Sequence, residues 1–278
     1  MSTVYESICN QQKSWAYRRG IRFDKDGYTL CLDHNLFLPL LPEVKREFQS
    51  GKGDELGSAG KRGKMQALHS SSALVVNIFQ YWVNRDINEI ASACGAPHGM
   101  AEMHFEQTYP TPLGGIPPHL DVEVSANSLK PLVIESKFTE PYHRHTKRVI
   151  RDRYLNVPRL WTGLPECEKL VRRIREEERG RTSFAYLDAP QLLKHILGLT
   201  RAFGATRFSL LYLWHEVPSR EAKSHRQELK EFENYIGHEV DFRQMTYQEL
   251  FHTIRECHSM SEDYIRYLAE RYFSHLVV

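Results

Sequence analysis

His119–Tyr142 reads HLDVEVSANSLKPLVIESKFTEPY, and its period decides the fold. From His119 to Ser125 the residues alternate, with Leu120, Val122 and Val124 on one face and Asp121 and Glu123 on the other. From Pro131 to Thr139 a second alternation sets Leu132, Ile134, Ser136 and Phe138 against Val133, Glu135, Lys137 and Thr139. The polar stretch Ser125–Lys130 suits a hairpin connection. If the two strands pair, Asp121, Glu135 and Lys137 meet on one face of a rigid sheet. Two carboxylates and an ammonium gathered there form a place for a divalent cation and an activated water.

The tripeptide acid-x-Lys carries little information alone, because it recurs at Glu43, Glu221 and Glu228. The last two lie in polar helical sequence, and Glu43 follows Pro42 at a helix start, where the helix dipole accounts for it. Only Glu135-Ser136-Lys137 sits within an apolar, strand-forming run, PLVIESKF. Charges there cost free energy unless a partner or a function compensates. A solvated edge strand is the bland alternative.

Outward from the hairpin, Ala101–Tyr109 alternates as a preceding strand, with Glu102, His104 and Glu106 sharing a face. The turn TPLGGIPP (Thr111–Pro118) joins it to the hairpin. Upstream, Gln66–Arg85 has the three- and four-residue apolar spacing of a helix, and Ile87–Cys94 a shorter one ending at Gly95. Downstream, Glu166–Arg181 reads as a charged, solvated helix, and Asp188–Phe203 as an amphipathic helix with an Asp cap and Gly204 at its end. Phe208–Trp214 is a continuous apolar run, as in a buried central strand. Helices follow at Gln227–Ile236, Tyr247–Cys257 and Ser261–Phe273, with a short strand at Val240–Arg243. The class is α/β, a mixed central sheet flanked by helices. Residues 1–65 are expected to be an accessory region packing on the core, and 66–278 the main domain with a C-terminal helical extension.

The glycine- and lysine-rich segment Gly51–Lys64 fails as a phosphate loop, because Glu55 and Arg62 occupy the Gly and Ser/Thr positions. It is expected to be a flexible solvated loop in which Lys52, Lys61, Arg62 and Lys64 can brush a phosphate backbone. A net charge of +2 means that nucleic-acid contact must come from local basic patches. Arg144, Lys147, Arg148 and Arg151 form one directly after the hairpin. Five cysteines without a C-x-x-C fit a reducing compartment, and neither a signal segment nor a spanning apolar run is evident. The expectation is a cytoplasmic protein with no membrane association.

Helix, three-strand meander, helix and buried strand, with Asp121 and Glu135-Ser136-Lys137 in place, resemble the PD-(D/E)XK nuclease superfamily, the restriction-endonuclease-like fold with its αβββαβ core. SSSALVVNIF, GGIPPHLDV, ESKFTEPY and QLLKHILGL are similar to an uncharacterised bacterial group within it, over roughly residues 66–215. One departure is that Pro118 is separated from Asp121 by His119 and Leu120 instead of preceding it directly. The resemblance implies an Mg²⁺-dependent nuclease, with Mn²⁺ as a substitute, acting on nucleic acid and chiefly on DNA. Asp121, Glu135 and the Ser136 carbonyl would be metal ligands and Lys137 would activate the water, making Asp121, Glu135 and Lys137 the catalytic set. Glu123, Glu106 and Gln191 are supporting candidates, and a homodimer is the natural arrangement for cutting both strands. The alternative is a nucleic-acid-binding protein that keeps the fold without cutting.

Overall fold

The computed structural model describes residues 3–51, 53–58, 60–145, 150–177, 184–257 and 259–274. The predicted meander is present as β3 (Glu102–Thr108), β4 (His119–Ser125) and β5 (Leu132–Lys137), joined by β6 (Ser209–Trp214) and β7 (Asp241–Thr246). They form one mixed sheet in the order β3-β4-β5-β6-β7, antiparallel through β5 and parallel beyond it. Val122 lies opposite Ile134 and Glu123 opposite Val133, and this parity places Asp121 beside Glu135. Every residue of β6 is buried, as its unbroken apolar run requires of a strand covered on both faces.

Helices cover both faces. On the face of Ser136 and Phe138, α9 (Tyr247–Ile254) and α10 (Glu262–Tyr272) pack down: Ser136 Oγ and the Tyr247 hydroxyl are 2.6 Å apart, and the Phe138 ring meets Tyr272 edge-on. On the face of Glu135, Tyr212 and Trp214 lie α7 (Ala189–Phe203) and α8 (Arg220–Ile236). There His195 of α7 approaches Glu135, and His225 of α8 packs on Tyr212 and Trp214. Between Gln66 and Arg85 the helix is shorter than its apolar spacing predicts. α3 spans Ser71–Phe79, capped by the Ser70 hydroxyl, and tightens into a 3-10 turn at Gln80–Trp82. α4 runs Ile87–Ala93.

Two sequence expectations are corrected and one element is new. α6 (Pro165–Glu177) is not a solvated helix: Cys167, Leu170, Val171 and Ile174 are buried at three- and four-residue steps beneath the charged ones. Gly51–Lys64 is not a bare loop: β1 (Gly57–Ser58) and β2 (Lys61–Arg62) pair in it, and the Glu55 carbonyl accepts from the Met65 amide at 2.9 Å. Its cations are engaged, Lys61 with Asp54, Arg62 with Asp24 and Lys64 with Glu55, while Lys52 lies outside the described residues. The N-terminus begins with a helix that the apolar pattern did not announce, α1 (Val4–Arg18), closed by a Thr3–Glu6 capping box.

α1 buries Ile8, Gln12, Trp15 and Ala16, and its partner is α10. Arg271, fully buried, joins them: its guanidinium donates to Gln12 Oε1, the Asn35 carbonyl and Oδ1, and the Tyr267 hydroxyl, and stacks over Trp15 and Tyr272. The buried apolar residues of α1, of α2 (Pro42–Ser50) and of the sheet belong to one continuous core. Short α5 (Arg153–Asn156) bridges the region after β5 to α6.

Candidate active site

Asp121, Glu135 and Lys137 meet on the face that strand parity predicts. The ladder between β4 and β5 ends at Val122 and Ile134, because the Asp121 side chain takes the next rung: the Ser136 amide donates to Asp121 Oδ2 at 2.7 Å. Lys137 Nζ donates to Glu135 Oε1 at 2.5 Å, both side chains nearly buried. Burial alone would favour a neutral Lys137 amine, but Glu135, Glu140 and Asp121 outweigh it and hold the ammonium above its ordinary range. Burial, then Glu135 and Glu106, pushes the Asp121 carboxyl well above the usual carboxylate range.

Glu106 arrives by an irregularity. It stands in β3 between Phe105 and Gln107, which pair regularly with Val122 and Leu120, yet its own φ is 52°, left-handed for a residue with a Cβ. A conformation of that kind persists only where its surroundings enforce it. The carboxyl is nearly buried and pushed up to about 7, by burial first and then by Glu55 and Glu135. Glu55, carried in by the segment before β1, accepts from the Ser72 hydroxyl at 2.7 Å.

His195 is the other approach that sequence reasoning missed. It lies on the inner face of α7, with Nδ1 3.3 Å from Glu135 Oε2, and burial pulls it down to about 4, so it is a neutral ring at physiological pH. His119 Nδ1 is 3.7 Å from Glu106 Oε2. The i+4 relation of Gln191 to His195 was legible, but not that the helix aims His195 at Glu135.

Of the supporting candidates, Glu106 joins the cluster. Glu123 accepts from the hydroxyl of Tyr109, just past the end of β3. Gln191, whose amide donates to the Asp188 cap at 3.0 Å, lines a cleft one turn before His195. Of the basic candidates, Arg151 lines the same cleft, Arg144 is exposed, and Lys147 and Arg148 lie outside the described residues.

Among the described residues no set of three or more His, Cys, Asp and Glu side chains is gathered as a metal cage. What the site offers is a pair of carboxylates on adjacent strands, Asp121 and Glu135. That donor set fits Mg²⁺, which takes one or two carboxylates, keeps most of its waters and relies on substrate oxygens for the rest. The raised carboxyls of Asp121 and Glu106 are a further sign of fit, since burial and neighbouring carboxylates outweigh the Lys137 ammonium at Asp121 and the Lys64 ammonium at Glu106.

A three-stranded meander and two parallel strands between helical layers, with Asp121 facing Glu135-Ser136-Lys137, define a restriction-endonuclease-like nuclease fold. A family model described as "Restriction Endonuclease associating with ARP" matches residues 7–273, and the chain belongs to that family. No curated protein and no solved structure matches it. Membership brings nuclease activity on nucleic acid as the family's chemistry. No helix among the described residues is long and apolar enough to cross a membrane.

Proposed function

We propose that the protein hydrolyses phosphodiester bonds of DNA in the presence of Mg²⁺, or Mn²⁺ in its place, with Asp121, Glu135 and Lys137 as catalytic residues. The single observation that carries this reading is the pairing register that sets Asp121 beside Glu135 and Lys137 on a buried sheet face. Asp121, Glu135 and the Ser136 carbonyl would hold the cation. The Ser136 amide turns toward Asp121, and in an extended strand the carbonyl of the same residue leaves on that same side. A bound divalent cation supplies an acidified water and neutralises charge that builds on the scissile phosphate.

The side chains do the rest. Lys137, kept protonated by its carboxylate neighbours, orients the attacking water by hydrogen bonding and stabilises the phosphorane-like charge at the transition state. His195 packs against the Glu135 carboxylate from the helix side, and its neutral ring adds no second positive charge to compete with Lys137. Glu106 and Glu55 complete the negative field on the β3 side. Glu123 and Gln191 act as supports, the first through Tyr109 and the second at the start of α7.

Cleavage of supercoiled plasmid tests the proposal, with Mg²⁺ or Mn²⁺ against EDTA and wild type against Lys137→Ala. The expected outcome is metal-dependent nicking or linearisation that falls at least about 100-fold in the variant, the order seen when one transition-state donor is removed. Undiminished cleavage by Lys137→Ala would sink the site assignment.

A further inference from the structure

One turn before His195, α7 forms a wall of a cleft of about 670 Å³ whose other walls are the β3–β4 turn and the segment through α5. Three cations face it: Arg151, Arg153 and Lys194. Gly115 lies against the Arg153 guanidinium, and Ile116, 67% exposed, stands at the mouth. Among the described residues none of the three cations has a carboxylate within ion-pair distance, in contrast to the neighbouring basic residues of α6. On that helix Lys169 pairs with Glu166, Arg172 with Glu168, and Arg173 with Glu177 and Glu231, while Arg175 pairs with Asp152. The one carboxylate lining the cleft, Asp188, accepts from the Gln191 amide as the cap of α7.

Surface cations are ordinarily neutralised by neighbours or spread apart. Here burial, then Arg153 and Arg151, makes Lys194 harder to protonate than a free lysine, so the arrangement carries unrelieved repulsion. An anion relieves it. The volume exceeds what a bare phosphate needs and falls in the range of small-ligand sites. Its uncharged walls are the exposed Ile116 and the Tyr154 ring, over which the Arg153 guanidinium stands 5.7 Å from the centroid, a cation–aromatic pair beside which the flat face of a base can lie.

We propose that this cleft seats one nucleotide unit, its phosphate on Arg151, Arg153 and Lys194 and its base against Tyr154 and Ile116. Resting on the nuclease reading, the occupant is a nucleotide of the substrate strand flanking the bond to be cut, since α7 carries both Lys194 and His195. A free mononucleotide has the same chemistry, and the test separates the two sources. A nucleotide whose base lies in such a cleft is unstacked, so the cleft favours single-stranded or locally opened substrate.

The test is fluorescence anisotropy of a labelled single-stranded oligonucleotide in EDTA across a salt series, for wild type, Arg151→Gln and the Arg153→Gln/Lys194→Gln pair. Each lost phosphate contact on a single strand lowers the slope of log affinity against log salt by about 0.7, so about 0.7 is expected for the first variant and about 1.4 for the second. Arg151 is exposed, so its substitution reports on binding even if the double variant folds poorly. Calorimetry with a 5′-mononucleotide distinguishes the sources. Binding much weaker than that of the oligonucleotide marks a strand-borne unit, binding of equal strength marks a free nucleotide, and both support the cleft when the variants lose them. Unchanged salt slopes and unchanged mononucleotide binding in the variants overturn it, as does a wild type that binds neither probe. If the variants bind as wild type while wild-type enzyme cleaves plasmid, the cleft is wrong and the nuclease reading stands. If the variants lose binding but no metal-dependent cleavage exists, the cleft stands and the hydrolytic reading fails.

Discussion

Replacing Asp121 with asparagine separates what this residue does for the fold from what it does for the metal. Its Oδ2 accepts from the Ser136 amide at 2.7 Å, and an unpaired buried amide costs about 1–3 kcal/mol. Asparagine can keep that bond, whereas alanine cannot. Without metal the Asp121 carboxyl is disfavoured as an anion by burial and by Glu135 and Glu106, so removing its charge relieves the site. The variant in EDTA is therefore expected to melt at the wild-type temperature or above it. With metal the order reverses. For a dissociation constant of about 1 mM, about 10 mM Mg²⁺ stabilises the native state by RT ln 11, or about 1.4 kcal/mol. A chain of this length shifts by about 2 °C per kcal/mol, so wild type should gain about 3 °C. Asp121→Asn should gain less than about 1 °C, having lost a ligand charge. Differential scanning calorimetry in EDTA and in Mg²⁺ reads all four temperatures. A variant that keeps the full Mg²⁺ gain refutes Asp121 as a ligand, and one that melts several degrees lower in EDTA refutes the account of a strained carboxyl.

Three more outcomes follow from the packing. A Cβ on Gly198 of α7 would lie 2.3 Å from the Tyr109 carbonyl and 3.0 Å from Pro118. Gly198→Ala should thus lose about 1–3 kcal/mol in urea unfolding, because overpacking exceeds the gain of about 1 kcal/mol that alanine brings inside a helix. Arg271→Ala strips the guanidinium from Gln12 Oε1, Asn35 Oδ1 and the Tyr267 hydroxyl in the core, while the Asn35 carbonyl keeps the Asn77 amide, and should cost at least about 3 kcal/mol by the same measurement. Burial by itself would raise Asp241, but Lys130, Ser209 and Arg243 together bring it down to about 2. Its folded value lies below its unfolded one, so its contribution is complete above about pH 4 and is lost as the pH falls toward 2. Asp241→Asn should flatten the acid limb of a pH–stability curve in that window, and an unaltered limb would show that the ion pairs contribute nothing.

The meander was legible because alternation in two short runs fixes both strand identity and face, and parity alone then brings Asp121 to Glu135. β6 and α7 were legible for similar reasons, one as an unbroken apolar run and the other as a capped amphipathic stretch. What stayed hidden depends on tertiary placement. α1 has helical spacing, but one of its four buried positions is Gln12, polar because its partner is Arg271 at the far end of the chain. β7 runs three residues beyond Arg243, and α8 begins seven residues before Gln227, because cover from the rest of the chain decides where such polar segments hold. The left-handed Glu106 follows no local rule that selects such a residue. Glu55 hid in a glycine-rich segment that reads as solvent, and His195 on an apolar helix face reads as core.

The seam between α1 and α10 also sets a clock. Gln12 and Arg271 are 259 residues apart, and a ribosome adding about 5–20 residues per second takes roughly 13–50 s to travel between them. During that interval Ile8 and Trp15 have no α10 to cover them, and Gln12 has no guanidinium to meet. α1 is made long before the helix that covers it, and a neighbouring nascent copy that already carries α10 presents it with the same docking surface. Crowded translation of this chain therefore favours exchange of α1 between copies, a hazard that lies in the order of synthesis and not in the stability of the finished fold.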